Sequence, residues 1–173
     1  DPSLTAEVFS AADPVPAPAP APTTEPPEYV DTVVSDEHLL SRWAFVTRKV
    51  IARSEPKNQG RKVRKLSTRT PDGTHELVLV LKERAYADGS KWVQVRLPMR
   101  GAGRTGWLRR GILGSYRTVR THLVISRNRY KATLYRSGKT VWTARIGIGK
   151  KGTATPAGNF YIRNKLISSR PGG

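Results

Sequence analysis

The stretch Ile146-Gly147-Ile148-Gly149-Lys150-Lys151-Gly152-Thr153-Ala154-Thr155-Pro156-Ala157-Gly158-Asn159-Phe160 decides between two folds. Gly147, Gly149 and Gly152 satisfy G-x-G-x-x-G, the fingerprint of a dinucleotide-binding turn. That motif requires a helix opening at the glycines, so that its first amides face a pyrophosphate. Pro156 biases Thr155 away from the helical region and Gly158 follows closely, so the chain is expected to turn rather than wind. No acidic residue follows to hold a ribose. The phosphate-loop reading also fails, because Thr153 stands where a lysine must follow the last glycine. Apolar runs flank the stretch, Val141 to Ile146 before it and Phe160 to Ile162 after it. The expectation is a glycine-rich bend between strands.

Working outward, the flanks read as β. Tyr116 to Ser126 begins a set of strands, with His122 to Ser126 the clearest. Arg127-Asn128-Arg129 turns the chain into Tyr130 to Tyr135, and Ser137-Gly138 has the chemistry of a hairpin turn. Lys139 to Ile148 returns with Trp142, Ala144, Ile146 and Ile148 on one face. A fourth strand is expected over Asn159 to Leu166.

Upstream, Trp43 to Ala52, Lys62 to Leu66, Leu77 to Leu81, Lys91 to Leu97 and Gly106 to Leu108 are short strands separated by turn clusters such as Pro71-Asp72-Gly73. Five such strands at this spacing predict a small β-barrel. The continuous run Leu77 to Leu81 is expected to be buried on both sides. In Lys91 to Leu97, Val93, Val95 and Leu97 share one face and Trp92 and Gln94 the other. Trp92 and Trp107 are read as plugs of the barrel core.

The N-terminus differs in kind. Residues 1–40 hold eight acids and no Lys or Arg, and from Ala11 to Pro27 alanine and proline alternate. Proline at this density favours polyproline II, so these 17 residues would form a spacer of roughly 50 Å at ~3.1 Å per residue. All 31 Lys and Arg and the other five acids follow residue 40, a net +26, and no acid follows Asp88. The second half therefore has no carboxylate pair for hydrolysis and no carboxylate metal site. The basic excess suits an anionic partner. Nucleic acid is disfavoured, because no recognised motif accompanies the charge. With no cysteine, the 173 residues hold no thiol nucleophile and no thiolate metal site. No run is long and apolar enough to span a membrane. Asp1 is not an initiator residue and Pro171-Gly172-Gly173 reads as the middle of a loop, so a fragment, or a processed chain that has also lost its C-terminal part, is expected.

Two resemblances join these readings. Trp92-Val93-Gln94-Val95 followed by Gly106-Trp107-Leu108 resembles the bacterial SH3-like modules of cell-wall proteins. The meander, then Gly147-Ile148-Gly149, then Thr155-Pro156-Ala157-Gly158-Asn159-Phe160 resembles the opening of an L,D-transpeptidase catalytic domain, with its "T-P-x-G-x-F". This implies a mainly β fold in three parts: an acidic Pro/Ala-rich disordered linker (1–40), an SH3-like barrel (41–115) and the N-terminal part of a catalytic domain (116–173). The implied function is peptidoglycan cross-linking in the cell envelope, with stem peptides as partners and no cofactor or metal.

In that family a histidine-activated cysteine attacks a stem-peptide amide, releases D-alanine and passes the acyl group to an amine. Its catalytic residues lie in His-Gly-Thr and Ser-His-Gly-Cys-x-Arg segments, neither of which occurs here, so no catalytic residue is assigned and the chain as it stands is expected to be inactive. His38, His75 and His122 are read as surface or core residues. The alternative is a non-catalytic module that binds cell wall or an anionic wall polymer from a proline-rich spacer.

Overall fold

The computed structural model describes residues 28–99 and 103–165; the Pro/Ala spacer and Leu166 to Gly173 lie outside them. Among the described residues eleven strands form two antiparallel sheets, and one 3-10 turn spans Arg110–Ile112. In chain order the strands are β1 (Tyr29–Val33), β2 (Ser41–Phe45), β3 (Val50–Arg53), β4 (Lys62–Leu66), β5 (Leu77–Tyr86), β6 (Lys91–Arg96), β7 (Thr105–Arg109), β8 (Arg117–Val119), β9 (Thr121–Ser126), β10 (Lys131–Arg136) and β11 (Lys139–Arg145). The mainly β character expected from the sequence is what the structure has.

The larger sheet runs β4-β3-β7-β6-β5-β2-β8, with β1 added beside the second half of β5. Ala44 on β2 and Leu66 on β4 are far apart in this order yet share one core with Val78, Val80, Val93, Val95 and Leu108. The sheet must therefore curl around that core, as the right-handed twist of strands favours. Period-two alternation supplies the inner face: Val93 and Val95 on β6 are fully buried.

A β-bulge at Leu81 keeps this face apolar. Val80 pairs with Val95, but Lys82 pairs with Gln94, so one residue is inserted. Without it, Lys82 and Arg84 would follow Val78 and Val80 onto the core side; the extra residue flips them to the outer face. The bulge carbonyl is used, accepting from the N–H groups of Val34 (2.8 Å) and Ser35 (3.1 Å).

Three expectations need correction. Trp92 and Trp107 are buried, but on the outer face and not in the core. Trp92 stands opposite Arg84 and Arg109, and Trp107 opposite Gln94 and Arg53. The Arg109 guanidinium lies 4.4 Å from the Trp92 ring centre, and that of Arg84 5.2 Å from Trp107. Long basic side chains thus cover these rings with their stems and hold cations over their faces. Their parity follows from the bulge and from Val93 and Val95 taking the inner face.

Residues 29–33, assigned to the linker, instead form β1. Its Asp31 accepts two bonds from Arg84, each 2.7 Å, and these hold the Asp31 carboxyl below its ordinary range. The expected strand from Asn159 is the third correction. Residues 159–165 make no ladder, and their side chains reach back to the larger sheet. The Tyr161 hydroxyl donates to Leu77 O (3.3 Å), Arg163 Nε donates to Glu76 Oε1 (2.8 Å), and Asn164 donates to Asp72 (3.0 Å).

The smaller sheet, β11-β10-β9, follows from the last strand of the larger one, since β8 pairs with β2 and runs through Arg120 into β9. Ser137 and Gly138 both have positive φ, 49° and 78°, the hairpin geometry that matches strand twist. Leu123, Leu134 and Trp142 form one cross-strand row, and Ile125, Ala132 and Ala144 the next.

Candidate functional site

The glycine stretch leaves β11 and forms a closed loop rather than a helix. Gly149 N–H donates to Thr155 Oγ1 (2.9 Å), and Thr153 N–H donates to Lys150 O (3.0 Å). A methyl group on Gly149 would run into the carbonyl of Thr153 and the amide of Thr155, so only glycine allows this closure. Gly152 has φ 91°, which glycine adopts freely. Arg127, from the β9–β10 turn, donates to Thr155 O (3.1 Å) and fastens the loop to the sheet.

These bonds bear on the fingerprint directly. A phosphate cradle needs free amides converging at a helix start. Here the amides of Gly149 and Thr153 are already bonded within the loop, and the residues after Gly152 are extended or bent. The bend expected from Thr155-Pro156 is what forms.

Loop and turn enclose an open pocket of ≈ 460 Å³ lined by Arg127, Asn128, Tyr130, Ile148, Gly149 and Thr155. Its chemistry is that of hydrogen bonding. Arg127 brings a cation, Asn128 an amide and Thr155 a hydroxyl, with neither histidine nor carboxylate in the lining. No nucleophile–base pair is present there.

The histidines are distributed as follows. His75 packs against Phe45, ring centres 5.5 Å apart. His38 and His122, distant in sequence, meet edge to face at 5.1 Å, with Tyr135 beyond His122 at 6.2 Å. This meeting was not legible in the sequence, since it depends on the turn after β1 reaching the start of β9. That turn is shaped by Asp36, whose carboxylate accepts the N–H groups of His38, Leu39 and Leu40 at 2.8–2.9 Å and is thereby held below its ordinary pKa. Among the described residues no group of three His, Cys, Asp or Glu could hold a metal.

The other feature of this region is apolar exposure. Leu123, Ile125 and Trp142 are each about half exposed (48%, 47% and 50%) on one face of the smaller sheet. Phe160 and Ile162 are exposed after the loop. Among the described residues, β9 and β11 each pair only with β10 in the smaller sheet.

This segment thus combines an antiparallel β-meander, a glycine loop closed by threonine, and Thr-Pro-Ala-Gly-Asn-Phe leading out of it. Residues 120–172 match the family model of the YkuD L,D-transpeptidase catalytic domain. Comparison with curated proteins and with solved structures gave no match.

Proposed function

We propose that the chain is the N-terminal portion of a peptidoglycan L,D-transpeptidase, and that these 173 residues do not carry out the transfer by themselves. The family match over residues 120–172 supports the reading. The absence of cysteine from the sequence carries the second half of it. The reaction inferred from the family is acyl transfer. A thiolate adds to the amide carbonyl of a stem tetrapeptide, D-alanine leaves with a proton, and the thioester then passes its acyl group to an amine on a neighbouring stem. The residues in hand offer a sheet, a rigid loop and hydrogen-bonding groups at Arg127, Asn128 and Thr155, but no group to start that sequence.

In this reading the enzyme is a transferase exported to the cell envelope. Residues 41–115 are an SH3-like module ahead of the catalytic domain, and the acidic Pro/Ala segment is a linker. No helix among the described residues is long and apolar enough to cross a membrane.

The test is D-alanine release from a disaccharide-tetrapeptide donor in the presence of an amine acceptor. The 173-residue chain is expected to release none, and a longer chain continuing past Gly173 through Ser-His-Gly-Cys-x-Arg is expected to release it. Release by the short chain would overturn the inactivity. A natural continuation without the cysteine segment would overturn the enzyme reading. The basic surface of the larger sheet favours a second role, in binding an anionic polymer.

A further inference from the structure

The outer face of the larger sheet carries cations of two kinds. On β5, Lys82 and Arg84 are both paired with Asp31. Across β3, β4 and β7 the pattern changes. Lys49, Arg53, Lys65 and Arg109 line one open pocket of ≈ 430 Å³ together with Ile51, Asn58 and Trp92, and no carboxylate contributes to the lining. None of the ion pairs among the described residues involves these four cations.

The neighbouring acids are engaged elsewhere: Glu55 pairs with Lys57, and Asp88, which feels the charge of Arg109, accepts the Ser90 N–H at 2.8 Å. Four like charges around one concavity repel one another, and an anionic ligand relieves that repulsion.

The two arginines are held in place. Arg53 Nη1 donates to Gly60 O (2.8 Å), and Arg109 Nη2 reaches Asn58 Oδ1 (3.4 Å) while its guanidinium lies on Trp92. Both acceptors come from the loop between β3 and β4, which closes through Lys57 N–H to Glu55 O and Gly60 N–H to Lys57 O. These contacts leave other N–H groups of both guanidinia available, since each carries five. Lys49 and Lys65 are exposed at the rim.

We propose that this pocket binds a linear phosphate polymer without bases, of the polyphosphate or polyol-phosphate type. Nucleic acid fits less well. Single-strand binding relies on bases stacking on open rings, whereas Trp92 and Trp107 are 4% and 6% exposed. The site lies on a different sheet from the family-matched segment and does not depend on the transfer chemistry.

The experiment measures binding of fluorescently labelled long-chain inorganic polyphosphate to the full 173-residue chain by anisotropy, over a range of salt concentrations. K49Q/K65Q is compared with K150Q/K151Q, which removes the same charge from an exposed loop beside the other sheet. Losing two of four contacts is expected to weaken binding about tenfold and to cut the slope of log K against log salt by roughly half, while K150Q/K151Q changes affinity less than about twofold. Thermal unfolding checks that both variants fold; if the double variant is destabilised, K49Q and K65Q singly are each expected to weaken binding about threefold.

Equal losses in the two double variants would overturn the proposal in favour of bulk charge. An oligothymidylate that binds more tightly than polyphosphate of equal charge, with tryptophan quenching, would overturn it in favour of nucleic acid.

Discussion

Glu76, just ahead of β5, ties the larger sheet to the segment that follows the glycine loop. It is buried to 2% exposure, its backbone carbonyl accepts the Val46 N–H (2.9 Å), and both carboxylate oxygens are taken by Arg163, 87 residues later. A buried carboxylate that loses its partner is left charged in a poor solvent. Arg163→Ala is therefore expected to cost about 3 kcal/mol in urea unfolding, at the low end for a buried pair because Arg163 is partly exposed. Replacing both residues by leucine is expected to cost less than the single change. A loss below about 0.5 kcal/mol for Arg163→Ala would show that the contact is not maintained in solution.

Two tyrosines set an alkaline limit. Burial raises the pKa of Tyr116 above its ordinary 10.0, helped by its bond to Glu83 (2.8 Å), and burial raises that of Tyr161, helped by the nearby Glu76 charge. The folded state thus keeps protons that the unfolded chain releases, so stability is complete below pH 10 and declines as pH rises above it. Tyr116→Phe combined with Tyr161→Phe is expected to flatten that decline in denaturant midpoints measured between about pH 9 and 11.

At the scale of elements, legibility followed how locally each strand is specified. Strands β6, β10 and β11 could be read because alternation and the Ser137-Gly138 turn are written in consecutive residues. Strand β5 was read only as far as Leu81, because Lys82, Glu83 and Arg84 look like its end; the bulge that turns Lys82 and Arg84 outward has no local signature. Strand β1 was missed because Tyr29 to Val33 follows a proline-rich acidic run and is exposed along its length, so no buried face marks it; its ladder with β5 is set far away in sequence, at Lys82 to Tyr86. The segment after Phe160 has strand composition but finds side-chain anchors instead of a ladder. The bend at Thr155-Pro156 was legible because proline and glycine act on the backbone directly. The closing bond from Gly149 to Thr155 spans six residues and was not.

Among the described residues the smaller sheet leaves Leu123, Ile125 and Trp142 half exposed and the outer edges of β9 and β11 unpaired, and such surfaces invite local opening and association. Limited proteolysis is expected to cut within residues 120–165 well before residues 41–115. Equal resistance of the two regions would mean that the apolar face is covered in solution.

At the scale of the molecule, two kinds of surface divide the work. The larger sheet wraps a closed apolar core and turns its charge outward, which suits it to holding a polyanion. The smaller sheet lies in the segment that matches a catalytic-domain family model and offers a loop and an apolar face, but the sequence brings no thiol to them. Composition made this second point legible from the outset: with no cysteine in 173 residues, no arrangement of strands could supply the family's nucleophile. What composition could not show was where the tryptophans and arginines would meet, because that is set by sheet register.

The central claim, a transpeptidase segment without its nucleophile, is tested most directly by intact-mass spectrometry after incubation with a carbapenem, an acylating agent for the cysteine of this family. The 173-residue chain is expected to keep its mass unchanged, while a longer chain bearing the cysteine segment gains one equivalent of the drug. A stoichiometric covalent adduct on the 173-residue chain would contradict the account.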